Sequence, residues 1–158
     1  MKTLIAYSST YGAAADCAQQ LAQRLGAETD VVDLAKAQPD PTAYDRVIIG
    51  GSIYMGQIQK STKAYCQTYG EQLLQKPLGL YVCSGRQAED AAKQLQEAFP
   101  AALREYALWM NTLGYRYKLQ GMNFLHRFII KKVAKVTADE DRLNSEAMDA
   151  LAAAMNAG

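Results

Sequence analysis

The chain has 158 residues, 49% hydrophobic and 21% charged, which suits one domain (1–158) able to bury a full sheet between helix layers. A net charge of +1 argues against a strongly basic surface and so against a nucleic-acid partner. No run reaches the roughly 18 consecutive apolar residues that span a bilayer, and the apolar start Met1–Tyr7 is too short for a signal peptide, so a cytoplasmic protein is expected. Cys17, Cys66 and Cys83 are widely spaced and form no C-x-x-C pair, so they are expected to be buried thiols, with neither a metal knuckle nor a disulfide framework. The single histidine, His126, leaves little material for histidine catalysis or metal ligation.

Lys2–Tyr7 reads as a strand that runs into Ser8-Ser9-Thr10-Tyr11-Gly12. A helix over Ala13–Leu25 follows, with Ala14, Cys17, Ala18, Leu21 and Leu25 on one face and Gly26 at its end. Thr29–Leu34 is a second strand, and Pro39-Asp40-Pro41 forces an irregular connection. Arg46–Gly50 lacks period-2 alternation, as a central parallel strand covered on both faces should. A loop over Gly51–Gln57 leads to a helix at Gln59–Leu74, whose inner face carries Thr62, Tyr65, Cys66, Tyr69 and Leu73. Leu78–Cys83 is a fourth strand, and Ala88–Phe99 an amphipathic helix stopped by Pro100. A short helix at Ala101–Tyr106 precedes a fifth strand within Ala107–Leu113, broken by Gly114. Two helices are expected to finish the chain, at Asn123–Lys135 and Ala138–Met155, the second started by a capping box at Thr137-Ala138-Asp139-Glu140. The alternation predicts an α/β doubly wound parallel sheet.

In such sheets ligands bind outside the carboxyl ends of the strands, at the point where strand order reverses. Three loops rich in glycine and hydroxyl residues end there: Ser8–Ala14, Ser52–Gln57 and Ser84–Gln87. The first places Ser8, Ser9, Thr10, Tyr11, Gly12, Ala13 and Ala14 at a helix N-terminus, an arrangement that holds a phosphate by dipole and hydrogen bonds without a lysine. Rival phosphate motifs fail. No G-x-G-x-x-G follows the first strand, and Gly51–Gly56 has Walker spacing but is followed by Gln57-Ile58. A phospho-receiver needs carboxylates where Tyr7-Ser8 and Gly50-Gly51 stand.

The second loop, Ser52, Ile53, Tyr54, Met55 and Gly56, offers an aromatic and a thioether to the face of a flavin ring. Gly56 would allow a peptide flip toward the flavin N5 on reduction. The third, Ser84, Gly85 and Arg86, lies toward the pyrimidine side, where Arg86 would stabilise an anionic reduced flavin or meet an acidic partner.

With these residues in view, the chain resembles the flavodoxin superfamily, and within it the branch containing the flavodoxin-type, menaquinone-dependent protoporphyrinogen oxidase. The resemblance rests on M-K-T-L-I at the start, Y-D-R-V-I-I-G-G-S-I-Y-M-G over 44–56 and N-F-L-H-R-F-I-I-K-K over 123–132. It implies a flavodoxin-like sheet of five parallel strands in the order 2-1-3-4-5 with helices on both faces, in which Ser9–Ala14 hold the phosphate of FMN while Ser52–Gly56 and Ser84–Arg86 flank the isoalloxazine ring. The chain departs from the pattern at Ala14, where the phosphate loop usually ends in threonine, and this predicts weaker binding. It also differs from that branch at Tyr115 and His126, and in lacking a longer segment before the fifth strand.

The segment 123–135 carries an apolar stripe (Phe124, Leu125, Phe128, Ile129, Val133) beside Arg127, Lys131, Lys132 and Lys135. It reads either as a helix packed on the sheet or as peripheral contact with an anionic membrane where a quinone is met. The function expected is FMN-dependent electron transfer with a redox partner protein. The alternatives are an FMN oxidoreductase acting on a porphyrinogen or quinone, and a flavodoxin-shaped interaction domain without flavin.

Overall fold

A computed structural model describes residues 1–10, 12–26, 28–54, 56–84, 91–117, 125, 128, 132 and 140–157. Strands and helices alternate through most of the chain as β1 (Thr3–Ser8), α1 (Ala13–Leu25), β2 (Thr29–Asp33), β3 (Arg46–Ser52), α2 (Lys60–Leu73), β4 (Leu78–Cys83), α3 (Ala91–Ala98), α4 (Ala101–Tyr106) and β5 (Trp109–Thr112). A short antiparallel ribbon of β6 (Gly114–Tyr117) and β7 (Glu140–Leu143) precedes the last helix, α5 (Ser145–Ala157). β1 to β5 form one parallel sheet in the order β2-β1-β3-β4-β5, as expected.

Because side chains alternate along a strand, the central strands feed two separate cores. Leu4, Ala6, Val47, Ile49, Leu78, Leu80 and Val82 face the layer of α2, α3 and α4, where Tyr65, Cys66, Leu73, Leu95, Phe99 and Leu103 are buried. Ile5, Ile48, Tyr81 and Cys83 face α1 and α5, packing against Cys17, Leu21, Met148, Leu151 and Met155. Covering both faces explains why β3 and β4 are buried from end to end and read as continuous apolar runs.

Tyr81 needs room that only glycine leaves. It pairs in register with Gly50 on β3, and a Cβ at Gly50 would overlap the Tyr81 ring. The hydroxyl, pushed well above the usual tyrosine range by burial, stays protonated and donates to the Ala14 carbonyl oxygen at 2.9 Å. At the amino-terminal edge of the sheet, the buried Arg46 donates to Thr3 Oγ1, to Met155 O at 3.0 Å and to Asn156 Oδ1 at 2.8 Å. The last two lie at the carboxyl end of α5, where the helix dipole favours a cation.

Two expectations need correction. The last helix starts at Ser145 and not at Ala138, and Glu140, taken as part of a capping box, lies in β7. Asn144 is the residue that caps α5: its Oδ1 accepts the Ala147 N–H at 2.9 Å. Glu140–Leu143 instead pairs with β6, and long-range pairing of this kind outweighs a local capping signal. Gly114 (φ +92) ends the fifth strand as expected, but it also opens β6, which was not anticipated. The helix expected over 123–135 lies outside the described residues apart from Leu125, Phe128 and Lys132, as does the start of the one expected from Ala88.

All three cysteines are buried and free, with Cys17 Sγ and Cys83 Sγ 3.4 Å apart. Burial pushes the Cys66 thiol up to about 12, and the Cys17 contact together with burial pushes Cys83 well above the usual thiol range. Buried thiols are shielded from reagent, so iodoacetamide at about pH 8 should label none of the cysteines in the folded chain and all of them in urea, counted by mass. Replacing Gly50 with Ala should cost about 3 kcal/mol in urea unfolding, because the methyl drives into the Tyr81 ring in a packed core.

Candidate functional site

The register aligns the strand ends. Ser8 at the end of β1 pairs with Gly51 of β3, and Ser52 pairs with Cys83 at the end of β4. The loops after β1, β3 and β4 therefore leave one edge of the sheet, across the β1/β3 boundary where strand order reverses.

In the first loop, Gly12 stands immediately before α1 in the left-handed region (φ +94), with nothing near the place a Cβ would occupy. Glycine adopts that conformation without steric cost. No side chain caps the helix start, whose first N–H groups have no acceptor within the helix. Ser9 Oγ accepts the Gly12 N–H at 2.9 Å, and Thr10 Oγ1 accepts from Gln59 Nε2 at 2.8 Å. A hydroxyl that accepts in this way keeps its own proton to donate, which suits an oxyanion.

Ser8 is used differently. Its buried Oγ sits 2.6 Å from Ser61 Oγ and accepts from Thr62 Oγ1 at 2.8 Å, tying β1 to the start of α2. Ala13 and Ala14 are buried in the α1-side core, so their methyl groups pack inward and the Ala14 carbonyl holds Tyr81. Tyr11 lies outside the described residues.

In the second loop, the Ser52 N–H donates to Gln59 Oε1 at 3.1 Å, while Ser52 Oγ is buried with no partner. Ile53 donates its N–H to the Cys83 carbonyl at 2.8 Å and packs against the α2-side core. Half-buried Tyr54 closes a tight turn with Gln57 through paired backbone hydrogen bonds of 2.9 and 3.1 Å. Gly56 (φ +81) is exposed at the third position of that turn, and Met55 lies outside the described residues. A cavity of about 340 Å³ beside this turn shares only Gly56 with the predicted site; Lys63, Gln94 and Glu97 are among its lining residues.

In the third loop, Ser84 is buried with its Oγ 3.2 Å from Thr112 Oγ1 of β5, and Gly85 and Arg86 lie outside the described residues.

Charge near the first loop is balanced by a distant part of the chain. Asp16, in the first turn of α1, would repel an anion bound there. Arg116 of β6 forms an ion pair with it and lies 3.5 Å from Asp141 of β7. Sequence reasoning missed Gln59, Ser61, Thr62 and Arg116 at this edge. The hydroxyl pair beside the predicted helix start was the available signal for the α2 residues, whereas nothing local marked Arg116. Among the described residues no acidic, histidine or cysteine cluster could hold a metal ion.

The chain matches a family model described as a flavodoxin domain over residues 4–144. No curated protein sequence matches it. Among solved structures it is similar to oxidised flavodoxin 2 from Bacillus cereus, at 16% identity and a TM-score of 0.58 over 99% of each chain. It is also similar to a Fusobacterium nucleatum flavodoxin bound to flavin mononucleotide, at 11% identity and a TM-score of 0.57, over 99% of this chain and 98% of that one. A third similar structure, rubredoxin oxygen:oxidoreductase from Desulfovibrio gigas, has 16% identity and a TM-score of 0.59. There the match covers 99% of this chain but only 36% of the other. At such identities these likenesses are of fold alone. Because the family match runs through most of its length, from β1 past the β6–β7 ribbon, the chain belongs to the flavodoxin domain family.

Proposed function

We propose that this chain, acting as one domain, binds FMN non-covalently at the carboxyl edge of β1, β3 and β4 and serves in electron transfer with a redox partner. The observation that carries the reading is the first loop. An uncapped helix start preceded by a left-handed glycine stands beside two hydroxyls that each already accept one N–H. In flavodoxins, which share this strand order, FMN sits at that same β1/β3 boundary.

The residues present fit the group. Ser9, Thr10 and the backbone from Gly12 to Ala14 would hold the phosphate, and Ser52 Oγ, buried without a partner, offers a donor to the ligand. Ile53, Tyr54, Met55 and Gly56 on one side, with Ser84, Gly85 and Arg86 on the other, would border the ring; Ser8 braces the loop from behind. Ala14 contributes through its backbone only. Bound FMN supplies the redox chemistry by accepting and releasing one or two electrons, and the chain holds and screens it. The Arg116–Asp16 pair keeps a carboxylate from opposing the phosphate.

A second reading has its own support. Leu125 and Phe128 are 62% and 51% exposed, and Lys132 stands over the Phe128 ring, an apolar and basic surface of the kind that meets an anionic membrane. It fits a quinone-linked oxidoreductase of the protoporphyrinogen oxidase type. No helix among the described residues is long and apolar enough to cross a membrane. Phe128→Asp should then reduce co-sedimentation with anionic vesicles several-fold, and an unchanged bound fraction counts against membrane contact.

Titration of the purified protein with FMN, read by flavin fluorescence and absorbance, should show binding at one site in the micromolar range or tighter. Ser9→Ala should weaken it about tenfold, the ~1.4 kcal/mol expected from one hydrogen bond to a charged group. Bleaching of bound FMN by a reductase protein supports the carrier, and direct bleaching by a porphyrinogen supports the enzyme. No binding at micromolar FMN leaves a flavin-free interaction domain.

A further inference from the structure

Gln59 connects the two loops that would hold opposite ends of the cofactor. The Ser52 N–H can only donate, so the oxygen of the Gln59 amide must face it (3.1 Å), and the NH₂ must face Thr10 Oγ1 (2.8 Å). Gln59 is the residue immediately before α2 and has extended backbone (φ −61, ψ 146), yet its side chain does not cap the helix. It reaches sideways, from the end of β3 to the loop after β1.

This bond also sets the polarity of Thr10. A hydroxyl oxygen occupied by an N–H donor turns its proton elsewhere, so Gln59 makes Thr10 a donor toward an anion on the first loop.

We propose that Gln59 is a positioning residue that, anchored on the Ser52 N–H, holds the Thr10 hydroxyl as a donor toward the phosphate, and thereby makes the site prefer FMN to riboflavin, which lacks the phosphate. The inference rests on the FMN reading above. An amide is required because it donates and accepts at once: leucine does neither, and glutamate, which can only accept, draws the Thr10 proton back toward itself.

Fluorescence titrations with FMN and with riboflavin, on the wild type, Gln59→Leu, Gln59→Glu, Thr10→Val and the Gln59→Leu/Thr10→Val double variant, test this. In Gln59→Leu, FMN affinity should fall roughly tenfold while riboflavin affinity stays within about twofold. Gln59→Glu should lose more FMN affinity than Gln59→Leu, because it reverses the hydroxyl and adds a like charge. The double variant should lose little more than Thr10→Val alone, since Gln59 acts through Thr10. A purely structural role predicts equal losses for both flavins with a lowered melting temperature, and that result overturns the proposal. So does an FMN-to-riboflavin preference unchanged from wild type in either folded variant. If the wild type binds neither flavin, the FMN reading itself has failed and this inference fails with it.

Discussion

The arrangement of the site depends on one buried ring. Tyr81 lies across β3 because Gly50 has no side chain to oppose it, and its hydroxyl reaches the Ala14 carbonyl in the first turn of α1. That contact joins β4, β3 and the helix start that follows the first loop. Burial raises the phenol well above the usual tyrosine range and keeps it neutral. A neutral donor in a dry core therefore holds the segment on which anion binding would rely. The same packing brings Cys17 and Cys83 together and buries both thiols.

Around this anchor the strand-end edge is assembled mainly from neutral groups. Ser8, Ser61 and Thr62 link β1 to α2, Gln59 links the first loop to the second, and Ser84 links β4 to Thr112 of β5. Hydroxyls and amides satisfy one another without the desolvation cost of buried ions. The charged residues stand back. Asp16 is neutralised by Arg116, and Arg46 works at the far edge of the sheet against the end of α5. An anionic ligand at the carboxyl edge would thus meet helix-start N–H groups and hydroxyl donors rather than a field of lysines, consistent with a net charge of only +1.

Much of the fold was legible because the signals were local and repeated. The apolar runs of β1, β3 and β4, the helical stripe Cys17, Ala18 and Leu21, and the glycine at position 26 each pointed to the element that forms. The ribbon was not legible. Gly114–Tyr117 and Glu140–Leu143 are short and polar, and their pairing joins segments far apart in sequence, with Arg116 held by Asp16 and Asp141. Thr137-Ala138-Asp139-Glu140 therefore misled: its spacing is that of a helix start, but strand pairing at Glu140 took precedence and Asn144 became the cap. In the site, the three loops could be named from composition and position. How Ser8, Ser9 and Thr10 divide their work could not, because Ser8 and Thr10 take partners about fifty residues along the chain while Ser9 pairs locally with Gly12.

By itself the sequence determined which segments become strands and helices and which loops carry the glycines and hydroxyls, since hydrophobic periodicity and glycine placement are properties of neighbouring residues, and its match to the flavodoxin domain family carried the strand order with it. Only the tertiary structure decided that Tyr81 reaches across Gly50 to α1, that Arg116 silences Asp16, and that Gln59 spans two loops. Each is a contact between segments dozens of residues apart, or between side chains whose directions follow from packing, and no local pattern encodes where such groups meet.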